Sequence, residues 1–470
     1  MNENSIRFRF DEKNMSLVAP LHDLSVYQTR RERLADWMRT QGGGIAIVPN
    51  GVLRMRNADA AYPFRFDSQF YYLTGFTEPN AWLVVIANAD KPTECWLLCQ
   101  PKNPASETWD GKRWGPDAAK EAFGFEGAVS VDELDRWVAD KLCGQSRVFA
   151  PLHRSPVTDL ASQLQRWIDT ARQSARGMKQ VPSHWIDLTP TISHHRLRKD
   201  RHELATMRES AQIAAMGHRA AMRATRPGLT ERALEAELLA VFLREGAQAA
   251  AYETIVAAGA NACILHHAAG ASRIGASDLV LIDAGCELHG YASDITRTFP
   301  ASGRFTPEQA ALYDIVLAAQ EAAIAQTAPG LSFNAGHEAA IRVLTEGLID
   351  EGIVKGSVDD AIEQGLYRPF YMHRTGHWLG LDVHDAGPYR VTEIDTDEPD
   401  WRALEPGMVL TIEPGLYITP ESGAPERFWN IGIRIEDDAV VTESGCDLIT
   451  RDVPVARKEI EALVQSGQSS

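Results

Sequence analysis

The chain has 470 residues, 44% hydrophobic and 24% charged, with a formal net charge of −17 from 64 acidic against 47 basic side chains. The length predicts two or three domains, and the acidic balance opposes the basic footprint that nucleic-acid binding needs. No run reaches the roughly 18 apolar residues of a membrane helix, so neither nucleic acid nor membrane is an expected partner.

The N-terminal Met1-Asn-Glu-Asn-Ser-Ile-Arg-Phe-Arg-Phe lacks the apolar core of a signal peptide. Six scattered cysteines (Cys95, Cys99, Cys143, Cys263, Cys286 and Cys446) argue against a disulfide framework. Cys95 and Cys99 read as buried thiols in an apolar stretch. The expected location is the cytoplasm.

Residues 1–195 read as one α/β domain. Val26 to Thr40 is a helix candidate; Gly44 to Val48, Ala81 to Ile86 and Cys95 to Leu98 are buried-strand candidates. The aromatic-rich stretch from Arg56 to Phe76 reads as packed core, with Arg56 and Asp59 as alternatives for reaching an active site or a neighbouring subunit. A boundary is expected near Pro190 to Lys199, and the basic run from His194 to Lys199 reads as a solvated helix start. Residues 196–470 then form the second domain. Leu204 to Arg223 is helical, Pro227-Gly-Leu-Thr230 is a break with an N-cap candidate, and Glu231 to Glu245 is a second helix. The arrangement returns in Ala318 to Ala328, Pro329-Gly-Leu-Ser332 and Phe333 to Glu351. This repeat suggests an internal duplication.

Acids and histidines gather in the later part. Leu279 to Ile282 is an apolar strand candidate ending at Asp283, and Tyr291 to Phe299 is a second strand carrying Asp294. A hairpin turning between Leu288 and His289 puts Asp283 opposite Asp294; a turn one residue later keeps both on one face. Glu413 ends a similar strand that Pro414-Gly415 stops, and alternation puts Arg434 and Glu436 on one face. Taken singly, Asp283 reads as a turn former, and a lone His377 is no stronger a ligand candidate. Jointly, four inward acids would repel, and cations are the usual remedy for buried charge. Four carboxylates and one imidazole make a hard, oxygen-rich set, unlike the Cys/His set of structural zinc. Manganese, cobalt or iron fits better than zinc alone, and two divalent ions would neutralise four acids.

The motifs Asp283-Ala-Gly, Ser293-Asp294-Ile-Thr-Arg, Gly376-His377-Trp-Leu-Gly-Leu-Asp-Val-His384-Asp, Thr411-Ile-Glu413-Pro-Gly and Gly432-Ile-Arg-Ile-Glu436-Asp resemble those of the pita-bread metallopeptidases, and among them the Xaa-Pro aminopeptidase (aminopeptidase P) group. The resemblance covers nearly the whole chain. It implies an aminopeptidase P-like N-terminal α/β domain followed by an α+β pita-bread catalytic domain with a pseudo-twofold repeat. It implies two divalent ions, most simply Mn(II). Asp283 would chelate one, His377 and Glu413 the other, and Asp294 and Glu436 would bridge both. Glu413 would also be the general base. His266 would orient substrate, His384 would hydrogen-bond the scissile carbonyl or move a proton, and His373 would line the proline pocket. Arg434 would orient carboxylates. An aromatic near Trp109 approaches another subunit's site in the family, which implies a homo-oligomer, dimer or tetramer.

The implied substrates are peptides with penultimate proline. An Xaa-Pro bond lacks the N–H that general peptidases bind, so the site needs a ring pocket and a group to protonate a tertiary nitrogen. The alternatives are a prolidase, which cleaves Xaa-Pro dipeptides only, and an inactive binding protein on the same scaffold. His267 and His289 are expected at the surface or in hydrogen bonds. His218 and His337, on helices, are expected in packing or at the surface.

Overall fold

The computed structural model describes residues 10–11, 14–89, 91–153, 156, 159–391 and 400–468; residues 1–9, part of the stretch read for a signal peptide, lie outside that set. The chain divides into two units, Met1–His195 and Arg196–Ser470.

In the first unit a six-stranded mixed sheet runs Gly127–Ser130, Glu94–Cys99, Trp82–Ala87, Gly44–Pro49, Arg147–Ala150, His184–Asp187. The two central strands are aliphatic and buried at every position, as a sheet covered on both faces requires. Helix Leu24–Thr40 covers it with Tyr27, Leu34, Ala35 and Met38 buried at helical spacing. All seven residues of helix Ser68–Thr74 are buried. Asp67 caps it, accepting from the backbone N–H of Gln69 and Phe70. Phe70, Tyr71, Tyr72 and Phe76 are therefore packed core, as expected. Tyr62 is not: it stands exposed beside a short hairpin closed by a Met55–Ala61 bridge, with Arg56 and Asp59 also exposed.

The second unit carries helix pairs before each set of acid-bearing strands. Helix Arg201–Ala224 is followed by Glu231–Arg244, whose N-cap Thr230 accepts from Ala233 N–H. Helix Pro307–Ala325 is followed by Ala335–Asp350. The first member of this second pair starts well before the expected Ala318. Thr306 and Gln309 close a capping box there, with Pro307 in the first turn. Strands Ile255–Ala258, Leu279–Asp283 and Thr296–Pro300 form one antiparallel sheet. Val409–Ile412 pairs with Asp437–Val441, and Gly415–Ile418 with Ile431–Arg434. The Glu436 N–H donates to the Thr296 carbonyl (3.0 Å), joining the two halves at the acids.

The hairpin register differs from one expected alternative and matches the other. Asp283 pairs with Thr296, not Asp294, because the turn is His289-Gly290, both at left-handed φ (51° and 84°). That is the backbone of a tight I′ turn. Asp294 lies between the strand segments Tyr291–Ala292 and Thr296–Pro300. At Gly285 a Cβ would stand 1.6 Å from the Ser293 carbonyl oxygen, so the chain can approach there only past a glycine.

The basic run is not solvated as expected. Arg196 and Lys199 are buried and both grip Asp385: Arg196 Nη2 at 2.5 Å from Oδ1 and Lys199 Nζ at 3.0 Å from Oδ2. Burial would raise the Asp385 carboxyl, but the two cations outweigh it and hold it below its ordinary value. Asp385→Ala takes from buried Lys199 its carboxylate partner and from buried Arg196 one of two carboxylates, Asp382 remaining at 2.8 Å, and should cost about 3–5 kcal/mol of unfolding free energy in urea titrations. A depressed carboxyl stabilises the fold above its unfolded pKa of about 3.9 and loses that contribution as pH falls through the lower folded value. The gap to wild type should therefore persist at neutral pH and close only in strong acid. A loss below about 1 kcal/mol at pH 7 would refute this role.

Candidate metal centre

Each acid is delivered by a strand end. Four buried aliphatic positions lead to Asp283 at the end of the central strand of its sheet. There Oδ2 accepts from Arg434 Nη2 (2.6 Å) and Oδ1 from the Tyr252 hydroxyl (2.6 Å). The same hydroxyl stands 2.5 Å from Asp294 Oδ1. One hydroxyl proton cannot serve two carboxylates fully, so oxygens are crowded at this point. Asp294 is fixed by its own N–H, which donates to Asp438 Oδ2 (3.0 Å). Glu436 is buried, and its Oε2 accepts from Thr296 Oγ1 (2.5 Å), while Oε1 has no partner among the described residues. Glu413 follows strand Val409–Ile412 directly, with Oε1 accepting from Thr411 Oγ1 (3.2 Å).

His377 supplies the nitrogen. Its Nδ1 hydrogen-bonds the Trp378 carbonyl (2.9 Å), which leaves Nε2 facing Asp294 Oδ2 and Glu413 Oε1, each 3.5 Å away. With Nδ1 so engaged, it is Nε2 that faces the acids, and its deprotonation would turn a lone pair toward them, the arrangement a metal-binding imidazole needs. Oxygen or nitrogen atoms of Asp294, His377 and Glu436 lie within 4.8 Å of one another.

Electrostatics report the crowding. Burial and the neighbouring Asp283 raise the Asp294 carboxyl. Burial, then Asp294 and Glu413, push Glu436 well up. Burial lifts Glu413 to about 7 against the pull of His377. Burial would lower His377, but Asp294 and Glu413 outweigh it and carry it to about 9. Asp283 alone falls below its ordinary value: burial would raise it, and Arg434 overrides that. Without a metal, then, imidazolium and guanidinium are the balancing cations. The orphaned Glu436 oxygen, the carboxylates crowded round Tyr252 and the inward Nε2 fit a divalent metal set, whose uptake would release the His377 proton.

The remaining expected residues share this cleft. His266, His373, His384 and Arg434 line it with the five metal candidates. His384 lies against His377, ring centroids 4.0 Å apart and the planes tilted by 41°. His373 joins Tyr417 through Nε2 (2.8 Å) and the Arg374 carbonyl through Nδ1 (2.7 Å). Burial, with Arg434 nearby, lowers His373 to about 4. Arg434 also donates to Tyr417 (2.9 Å) and Thr296 (3.2 Å). His267 hydrogen-bonds Glu231 (2.9 Å) and His218 the Ala284 carbonyl (2.8 Å), the hydrogen-bonding and packing roles expected of them. His337 contacts Thr375 (2.8 Å), and His289 is buried in its turn. Sequence reasoning missed Tyr252, Thr296, Tyr417 and Asp438. Two of them were open to strand alternation: Thr296 lies two residues from Asp294, and Asp438 two from Glu436.

A hard, acid-lined cleft with a histidine, built on this pita-bread fold, defines a metallopeptidase. The model of metallopeptidase family M24 matches residues 205–443, and that of the aminopeptidase P N-terminal domain matches residues 27–149. Xaa-Pro aminopeptidase of Escherichia coli is 41% identical over 438 residues, covering 93% of this chain and 97% of the relative. The structure of Pseudomonas aeruginosa aminopeptidase PepP superposes with a TM-score of 0.91 at 44% identity, covering 96% of this chain and 99% of that one. Zinc-substituted Escherichia coli aminopeptidase P in complex with product gives 0.90 at 40% identity, covering 95% and 99%. The chain belongs to metallopeptidase family M24 and is a hydrolase.

Proposed function

We propose that the protein is a dinuclear-metal Xaa-Pro aminopeptidase, releasing the first residue of peptides with proline at the second position, and that its two divalent ions are manganese. The observation that carries the reading is the meeting of Asp283, Asp294, His377, Glu413 and Glu436 in one cleft, around a buried Glu436 oxygen with no partner among the described residues. The name of the Escherichia coli relative supports the substrate class. Residues 1–195 are the N-terminal domain and 196–470 the catalytic domain. Asp283 would hold one ion and His377 and Glu413 the other, with Asp294 and Glu436 placed to serve both. The ions supply Lewis acidity toward the scissile carbonyl and a water of lowered pKa.

The chain's own groups do the rest. Glu413 takes the proton of the attacking water and returns it to the proline nitrogen as the C–N bond breaks. Arg434 holds Asp283 and donates to Tyr417. The Tyr417 hydroxyl in turn donates to His373 Nε2, because His373 Nδ1–H is engaged by the Arg374 carbonyl. A neutral, oriented imidazole so held forms a wall for the proline ring. His266 orients the substrate and His384 hydrogen-bonds its carbonyl. The free amine meets the acids.

The cleft has a volume of about 1090 Å³, just above the ~300–1,000 Å³ of small-ligand sites, which favours oligopeptides over the dipeptides of a prolidase. The six cysteines are unpaired thiols, which supports a reducing cytoplasmic setting. No described helix is long and apolar enough to cross a membrane. Exposed Val52, Leu53, Met55 and Tyr62, with Trp109 at 88% exposure, support a homo-oligomer, dimer or tetramer.

The test is direct. Manganese-loaded protein should release alanine from Ala-Pro-Ala at least about 10-fold faster than from Ala-Ala-Ala, because a methyl group leaves a pocket shaped for the proline ring partly unfilled. It should spare N-acetyl-Ala-Pro-Ala. Equal rates on the first two peptides would refute proline specificity, turnover of Gly-Pro alone would make it a prolidase, and cleavage of the acetylated peptide would refute the aminopeptidase reading. Restoring metal-free protein with manganese or zinc compares the ions.

A further inference from the structure

The loop that carries His266 closes on one buried carboxylate. Glu231 is the first residue of helix Glu231–Arg244, and its side chain is fully buried. Oε1 accepts from the Ala258 N–H (3.0 Å) and from Asn261 Nδ2 (2.8 Å). Oε2 accepts from His267 Nε2 (2.9 Å) and from the Gly270 N–H (3.2 Å). Ala258 ends strand Ile255–Ala258, where the loop leaves the sheet, and Gly270 lies where the loop returns to the helix start. One group thus holds both roots of the loop and two side chains between them. Backbone ties add to it. The Glu231 N–H donates to the Ser272 carbonyl (3.1 Å) and the Arg232 N–H to that of Gly270 (3.0 Å).

Burial would raise the Glu231 carboxyl, but Asn261, His267 and the Ala258 N–H outweigh it and hold it below its ordinary value. An ionised carboxylate only accepts, so His267 presents its proton on Nε2. That bond turns His267 to Glu231. Its neighbour His266 is exposed, and it shares the cleft with His384. Leu265 and Ala268 of the same loop line the cleft too, whereas Glu231 does not. We infer that Glu231 is a positioning residue, acting through His267 and the backbone at Ala258 and Gly270 to fix where His266 meets the substrate. The inference rests on the aminopeptidase reading, which gives His266 its role. Bonds to an ionised acceptor are the strong class of hydrogen bond, and an orienting group misplaced by about 1 Å can cost ~10²-fold in rate.

The experiment is a double-mutant cycle on the manganese-loaded full chain, read as kcat/KM for Ala-Pro-Ala. Glu231→Gln keeps the size of the side chain but turns an amide NH2 on groups that are themselves donors. It should lower kcat/KM by about 10–100-fold and leave metal content unchanged, because the loop carries none of the proposed ligands. His266→Ala should cost about 10²-fold. Adding Glu231→Gln to His266→Ala should change the rate by less than about 2-fold, since the two act as one unit. His267→Leu removes one of the four bonds and leaves three. It should lower kcat/KM by at least about 3-fold, again without further effect on His266→Ala, and His267→Gln, which keeps a donor, should restore most of the rate. This pair carries the test even where Glu231→Gln folds poorly. Deuterium uptake should rise in Glu231→Gln over residues 258–272 and stay unchanged elsewhere. Independent, multiplying losses in the double variants, a silent His266→Ala, or uptake raised throughout the chain with kcat/KM unchanged overturns the positioning role and leaves the aminopeptidase reading standing. Failure of the wild type to cleave Ala-Pro-Ala overturns both.

Discussion

Glu413→Gln should lower kcat by about 10²–10⁴-fold, the usual consequence of removing a general base. Glutamine keeps the size of the side chain and a carbonyl oxygen for the Thr411 hydroxyl, now 3.2 Å from Oε1. It loses the proton acceptor and one negative charge. The fold should not suffer, because the glutamate is itself costly where it stands: burial and Asp294 both disfavour its charge. The thermal midpoint of the metal-free variant should match or exceed that of the wild type. Metal content, measured after dialysis, separates the two roles proposed for the residue. Full occupancy with a large loss of kcat assigns it to proton transfer; lost metal assigns it mainly to ligation. A variant with full metal and a near-wild-type rate would remove Glu413 from the mechanism.

Asp283 and Glu413 were legible in the sequence because a buried apolar run stops at each, before Ala284-Gly285 and Pro414-Gly415; Asp294 and Glu436 were legible from hairpin register and strand alternation. The residues that aim them were not. Tyr252 precedes its strand, and Tyr417 comes from a strand whose aliphatic neighbours hide it as core; only tertiary folding brings their hydroxyls to Asp283, Asp294, His373 and Arg434. Arg196 and Lys199 escaped a local reading for the same reason: their partner Asp385 is far along the chain, so proximity in sequence assigned them to water. The start of helix Pro307–Ala325 is a different case. Thr306-Pro-Glu-Gln309 is a capping box with proline at the first helical position, a purely local signal open to the sequence. The hairpin turned on whether His289 would accept a left-handed φ; pattern alone left two registers open, and Gly290 resolves them by completing the two-residue turn.

Asp294→Asn should abolish most metal binding and, with it, at least about 99% of the activity, since metal-dependent attack and general-base help fail together. Asp294 is the acid most surrounded by the others. Its Oδ2 faces His377 Nε2 at 3.5 Å, its Oδ1 shares the Tyr252 hydroxyl with Asp283, and its N–H is spent on Asp438. Asparagine preserves the shape and can still accept from Tyr252, so the local backbone has no reason to move. What disappears is one of four negative charges at the position proposed to serve both ions. Two opposite effects on stability follow. Without metal, relieving repulsion should leave the variant as stable as wild type or more so. With metal, the wild type gains RT ln(1 + [L]/Kd), about 2.7 kcal/mol at 100 times Kd, and the variant should gain little. Thermal melts with and without added manganese, alongside metal content per chain, test both halves. Equal metal content and an equal manganese-induced shift in Tm would exclude Asp294 from the centre. A metal-free variant much less stable than metal-free wild type would mean that the carboxylate serves the fold instead.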